Sequence, residues 1–112
     1  MRLMAATAAA LLLAGCGGPE KRSVHATLDA DHESGSVTMM CTASSSGTCH
    51  GLFVTGSDVA RIAAAAGTSA GTTGITSMTR YCLDVAEPGQ GCSLRPLAQG
   101  EQIVRQEKAP RR

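Results

Sequence analysis

The stretch Val59-Ala60-Arg61-Ile62-Ala63-Ala64-Ala65-Ala66 decides between two folds. Read locally it is a helix: Ser57 can cap it, the alanines favour it and Gly67 can end it. Such a helix would run barely two turns and would have only Val59 and Ile62 to bury, too little to sustain itself. Read in context it is a strand, because it sits among strand signals that leave a sheet edge in need of a partner, and context overrides propensity. The strand reading gives an all-β chain and is the one expected. The alternative is a small α+β domain with a helix at 58–66 packed on one sheet.

Upstream, Val24, Ala26, Leu28 and Ala30 alternate with His25, Thr27 and Asp29, the period-two pattern of a strand with one buried face. Asp31-His32-Glu33-Ser34-Gly35 is a polar turn. Val37, Met39 and Cys41 then alternate with Thr38, Met40 and Thr42 in a second strand, which places Met39 or Met40 in the core, and Ser44-Ser45-Ser46-Gly47 closes it. A third strand runs from Thr48 to Thr55 and stops at Gly56-Ser57-Asp58. Downstream, Thr68 to Gly74 is small and Gly-rich, a turn rather than a good strand. Strand signals return from Ile75 to Val85, followed by the turn Glu87-Pro88-Gly89-Gln90-Gly91, a short return stretch from Cys92 to Leu97 and a last strand over Glu101 to Glu107. Short strands separated by turn signals at this spacing predict a sandwich. No internal repeat marks a solenoid.

Ile75-Thr76-Ser77-Met78-Thr79-Arg80-Tyr81-Cys82-Leu83-Asp84-Val85 resembles the E–F corner of fibronectin type III and related Ig-like sandwiches, where an apolar residue is followed six positions later by the tyrosine that opens strand F. The resemblance implies a small Ig-like antiparallel β-sandwich. It also implies that Tyr81 buries its ring while its hydroxyl bonds back to the upstream backbone, pinning the crossing between sheets. A strand carrying one ordinary half-buried tyrosine fits the same residues.

At the N-terminus, Arg2 is followed by an apolar run to Leu13, and Leu13-Ala14-Gly15-Cys16 hands over abruptly to Gly17-Gly18-Pro19-Glu20-Lys21-Arg22. Leu3 to Gly15 is thirteen residues, and a spanning helix needs about twenty. The order of a positive start, an apolar core and small residues before the cut is that of an export signal. Leu13-Ala14-Gly15-Cys16 resembles the lipobox of bacterial lipoproteins. The resemblance implies that residues 1–15 are a signal peptide, that Cys16 takes a diacylglyceryl group on its thiol and an acyl chain on its new amine, and that membrane lipid is the first partner. Gly17 is not the aspartate that in enteric bacteria retains lipoproteins in the inner membrane, so the outer membrane is the favoured destination. An ordinary secretory signal or a buried helix is the competing reading.

Residues 16–22 then form a short tether of Gly, Pro and charge, residues 23–108 one small domain, and residues 109–112 a loose basic tail. Removing residues 1–15 takes Arg2 from the 10 Lys and Arg that face 9 Asp and Glu, so the remaining side chains sum to zero and point to no polyanionic partner. Only 15 of the remaining 97 residues are Val, Ile, Leu or Phe, a thin core. The four cysteines after Cys16 supply another source of order in an exported chain. Aromatics are down to Phe53 and Tyr81, which leaves little to stack on bases, and no nucleic-acid partner is expected.

Four cysteines allow three pairings. The Ig-like analogy would join Cys41 to Cys82 and leave Cys49 to Cys92. Local pairs, Cys41 with Cys49 and Cys82 with Cys92, are favoured instead, because each pair lies symmetrically about a chain reversal, and loops of this size contribute about 2.5–3 kcal/mol apiece. Cys49 and His50 are adjacent and on a strand point to opposite faces, so no thiol–base pair forms there. No Gly-x-Ser-x-Gly elbow and no phosphate-binding loop with its lysine occurs, and neither an enzyme nor a cofactor is expected. The set with metal-binding chemistry is His25, Asp29, Asp31, His32, Glu33 and His50, with Met39 and Met40 as soft ligands. Its ordinary reading is a solvated strand face and turn. Arg105, Lys108, Arg111 and Arg112 form a basic tail that reads as a solvated terminus, with anionic headgroups or wall polymer as its alternative partners. The function expected is that of a lipid-anchored envelope lipoprotein, a non-catalytic binding or structural module for an envelope protein or cell-wall partner. Periplasmic metal handling is the alternative.

Overall fold

Period-two burial sorts the chain into two sheets. In β1 (Arg22–Asp31) Val24, Ala26, Leu28 and Ala30 are buried, and in β2 (Ser36–Ser44) Val37, Met39 and Cys41 are. Met39 is the core methionine and Met40 the exposed one. The computed structural model describes residues 22–89 and 92–108, and these are all-β. The remaining strands are β3 (Thr48–Thr55), β4 (Asp58–Ala65), β5 (Ser69–Thr73), β6 (Arg80–Asp84), β7 (Arg95–Pro96) and β8 (Gly100–Lys108). One antiparallel sheet has the order β5-β2-β1-β8 and the other β4-β3-β6-β7. The inward residues of both form a single core around Leu28, Met39, Phe53, Tyr81 and Leu83.

The order is that of an Ig-like sandwich: β1, β2 and β5 stand as strands A, B and E, and β3, β6 and β7 as C, F and G. β4 extends the second sheet beside β3, and β8 is an added strand on the free edge of β1.

The stretch expected at 58–66 is strand, not helix, with Asp58–Ala65 forming β4 and Ala66 opening the next turn. Ala64 is buried, Ala60 and Ile62 pack partly against the core, and Val59 stays exposed. Pairing with β3 over its whole length satisfies one edge of β4, which two helical turns could not match. The segment 68–74 departs from its reading as a turn, because Ser69–Thr73 pairs with β2 as edge strand β5. Gly71 serves a purpose there, since a Cβ at this position would stand 3.0 Å from the Val37 carbonyl.

The chain passes from the first sheet to the second at Ser44–Thr48. A bulge on β2, where His25 faces Ala43 but Ala26 faces Cys41, bends the strand toward the crossing. The serines then knot it: Ser44 Oγ donates to the Thr48 carbonyl at 2.6 Å and Ser46 Oγ to the Val85 carbonyl at 2.6 Å.

The second crossing, from β5 to β6, is pinned differently from expectation. The Tyr81 ring is buried, but its hydroxyl accepts from Gln102 Nε2 at 3.2 Å, a side chain of β8, rather than reaching upstream backbone. The corner itself is held by Thr79, buried to 1 % exposure. Its Oγ1 accepts from the Thr76 amide at 2.8 Å and shares a 2.6 Å hydrogen bond with Thr55 Oγ1.

The β1–β2 turn is built on Asp31, whose Oδ1 accepts from the Glu33 amide at 3.0 Å and whose carbonyl accepts from the Gly35 amide at 2.8 Å. Gly35 has φ +74°, a conformation costly for other residues. The Glu33 and Ser34 amides hold the Asp31 carboxyl below its ordinary value. A depressed pKa contributes stability above the unfolded value and loses it as pH falls through the folded one. Asp31→Asn should therefore be less stable than the parent at neutral pH, with the difference vanishing in acid; thermal denaturation of both proteins across that range checks it.

Candidate functional site

The structure separates the residues of the candidate metal set. His25 lies on the outer face of β1 with Nε2 3.9 Å from Glu107 Oε2. His32 is in the β1–β2 turn, where its amide donates to Gln99 Oε1 at 2.7 Å and its Nε2 lies 3.1 Å from the Leu97 carbonyl. His50 is on β3 in the other sheet, with Asp84 as its backbone partner on β6. Asp29 faces Glu101 in the β1–β8 ladder, and Glu33 sits at the turn. Met39 is buried in the core, out of reach of these groups. Among the described residues, no three of His, Cys, Asp and Glu come together as metal ligands would. Cys16 and residues 109–112 lie outside the described residues.

The cysteines pair locally, Cys41 with Cys49 and Cys82 with Cys92, at Cα separations of 5.6 and 6.1 Å. Neither pair spans a simple hairpin. Cys41 on β2 and Cys49 on β3 belong to different sheets, so their bridge ties the sandwich together beside the Ser44–Thr48 crossing. Cys82 is buried yet stands outside the core cluster, opposite Leu52, on the outer face of the second sheet. Its bond to Cys92 ties the start of the return stretch to that face. Leu52 and Cys82 are therefore covered on the side a two-sheet sandwich normally leaves wet, and the burial of both Leu52 and Phe53 follows.

Two of the concavities among the described residues adjoin this face. The first, about 290 Å³, lies between β3, β4 and the turn at Glu87-Pro88 and is lined by His50, Arg61, Ala63, Glu87 and Pro88. Arg61 Nε and Glu87 Oε2 stand 3.7 Å apart across it, an exposed pair of small energetic weight. The second, about 330 Å³ and more polar, opens between the edges of the two sheets. β7 is only two residues long, so β6 would be left with a bare edge; Gln106 of β8 covers it by accepting from the Leu83 amide at 3.1 Å. Ser93 and Arg95 line this cleft from the β7 side, and Arg105, Gln106 and Glu107 from β8. Burial pushes the Tyr81 phenol up, with the Arg95 guanidinium beside it pulling the other way. The sequence reading missed this cleft because its walls come from segments ten or more residues apart that only the added strand β8 brings together.

No known protein family, no curated protein and no solved structure matches the chain. The strand order alone assigns it to the Ig-like β-sandwiches, here carrying an added edge strand and two local disulfides.

Proposed function

We propose that the protein is a lipid-anchored module of the bacterial cell envelope that binds or braces a partner and catalyses no reaction. The observation that carries this reading is Leu13-Ala14-Gly15-Cys16 behind a short apolar run. By the lipobox resemblance Cys16 is lipidated and becomes the first residue, and Gly17 favours the outer membrane. Two further features support it. β1 begins at Arg22, six residues after Cys16, so the sandwich would stand close to its anchor. Both disulfides suit an oxidising compartment. The partner is an envelope protein or wall polymer met by a sandwich face or its loops. The scattered histidines give the metal-handling reading no matching support.

Cys16→Ser should abolish lipidation, leaving either unprocessed precursor or a domain released from the membrane fraction. A single fatty chain gives only about 10⁴ M⁻¹ of membrane affinity, whereas two or three hold essentially permanently. Fractionation of cells with mass analysis of the N-terminal peptide reads the result. Native protein that carries no lipid and begins at a residue other than Cys16 would overturn the proposal.

A further inference from the structure

We infer that β4 is a pairing edge through which two copies of this chain join, antiparallel, into one continuous sheet. β4 is the last strand of its sheet, and among the described residues only β3 pairs with it. The Ala66 amide donates to the Gly47 carbonyl at 3.0 Å, which continues the β3–β4 ladder by one step. In an antiparallel ladder the backbone groups of alternate residues point to opposite sides, so Val59, Arg61, Ala63 and Ala65 turn N–H and C=O away from β3. These donors and acceptors face the open side of the sandwich in a regular row.

The two sides of the sandwich are guarded unequally. On one, β7 is two residues long and β8 exposes Glu101, Arg105 and Glu107, devices that keep sheet edges from joining. On the other, β4 keeps eight residues in unbroken register with β3 and contains no lysine, proline or bulge. Its one charge away from the strand end, Arg61, is matched within its own chain by Glu87, whose Oε2 lies 3.7 Å from Nε. Near it, β5 ends the first sheet with Ser-Ala-Gly-Thr-Thr and carries no charge. Such an edge is a template for another strand.

The sequence of β4 selects its own copy as that strand. A two-fold axis through the edge sets outward residues opposite outward ones, so each register is centred on one residue. Centring on Arg61 would set Arg61 against its counterpart, and like charges directly opposite repel. Centring on Ala60 or Ala63 would pair only 58–62 or 61–65 of β4. Centring on Ile62 pairs 59–65, with Arg61 opposite Ala63, Ala60 opposite Ala64 and Val59 opposite Ala65 of the second copy. No two charges meet, and the small side chains let the backbones approach. Ile62, half-buried in one copy, meets its counterpart at the axis.

Antiparallel pairing carries the two β1 starts to opposite ends of the dimer. On the lipid-anchored reading the paired strands therefore lie along the membrane, with the six-residue step from Cys16 to Arg22 in each copy spanning at most about 20 Å. The pairing itself does not rest on the anchor.

Sedimentation velocity of the full chain in detergent, at rising concentration, should show a monomer–dimer equilibrium. Ala63 is exposed, so changes there leave the monomer intact, and in the dimer the position meets Arg61 of the other copy twice. Ala63→Lys should weaken the dimer about tenfold, and Ala63→Glu should strengthen it by a similar factor. Adding Arg61→Glu to Ala63→Lys should restore pairing, while Ile103→Lys, on the exposed face of β8, should leave it unchanged. A chain that stays monomeric throughout overturns the inference and leaves the edge to a different partner. A dimer that responds alike to Ala63→Lys and Ala63→Glu also overturns it, because another surface would then be joining the copies.

Discussion

Replacing Cys41 and Cys49 together by alanine is expected to destabilise the domain by about 3–5 kcal/mol, more than the matching change at Cys82 and Cys92. The two bonds close loops of similar length, with sequence separations of 8 and 10, so the chain-entropy contribution is alike, about 2.5–3 kcal/mol each. What differs is where the sulfurs sit. Cys41 and Cys49 are both fully buried between the sheets, and removing them leaves a void in a core built mostly of small side chains. Their bond also crosses from β2 to β3, next to the bulge where the chain changes sheet. Cys92 is only half-buried, and its bond holds a surface segment. Urea denaturation of the two double variants against the parent measures the difference. Equal losses, or a larger loss at Cys82 and Cys92, would contradict the view that the inter-sheet bond is the structural one.

The strands that were legible in the sequence are those whose inward positions carry residues large enough to announce themselves. Val24 to Ala30 and Val37 to Cys41 alternate plainly, and the burial follows position by position. β4 was legible only through its surroundings, since alanine has little strand preference of its own and the reading rested on a neighbour needing an edge. β5 was not legible. Its sequence, Ser-Ala-Gly-Thr-Thr, offers no large apolar residue, and only Ala70 and Thr72 turn partly inward. What makes it a strand is the close approach that Gly71 permits to β2, a property of the partner backbone rather than of local pattern. The local cysteine pairing could be anticipated from symmetry about the turns. The physical setting could not, because nothing local distinguishes a hairpin from a corner between sheets. The cleft beside β7 was illegible for a related reason: Arg105 read as part of a basic tail, and only the β1–β8 ladder brings its strand to the concavity that Arg95 also lines.

Phe53→Ala should cost about 3–5 kcal/mol, the usual penalty for emptying a buried aromatic site. Phe53 is the chain's single phenylalanine and faces Tyr81, its single tyrosine, across the β3–β6 ladder. Around them the core is largely alanine, valine and cystine, with Leu28, Met39, Ile75, Leu83 and Leu97 as its other large groups. Domains of this size are stable by about 0.05–0.15 kcal/mol per residue in total, so the variant should sit close to unfolding at ambient temperature. Gly51 supplies the internal control. A Cβ there would stand 3.1 Å from Phe53 Cε1, and 3.3 Å from both Leu83 Cδ2 and Met39 Sδ. Gly51→Ala alone therefore carries a steric cost, offset in part by the roughly 0.5–1 kcal/mol that alanine gains over glycine in a strand. With the Phe53 ring removed, the tightest of the three contacts disappears and the new methyl enters the void instead. Gly51→Ala should thus be less destabilising, or become stabilising, in the Phe53→Ala background, and urea denaturation of the four proteins in a double-mutant cycle reads that coupling directly. Strict additivity would mean that the ring does not rest against Gly51, and that the core is arranged around some other contact.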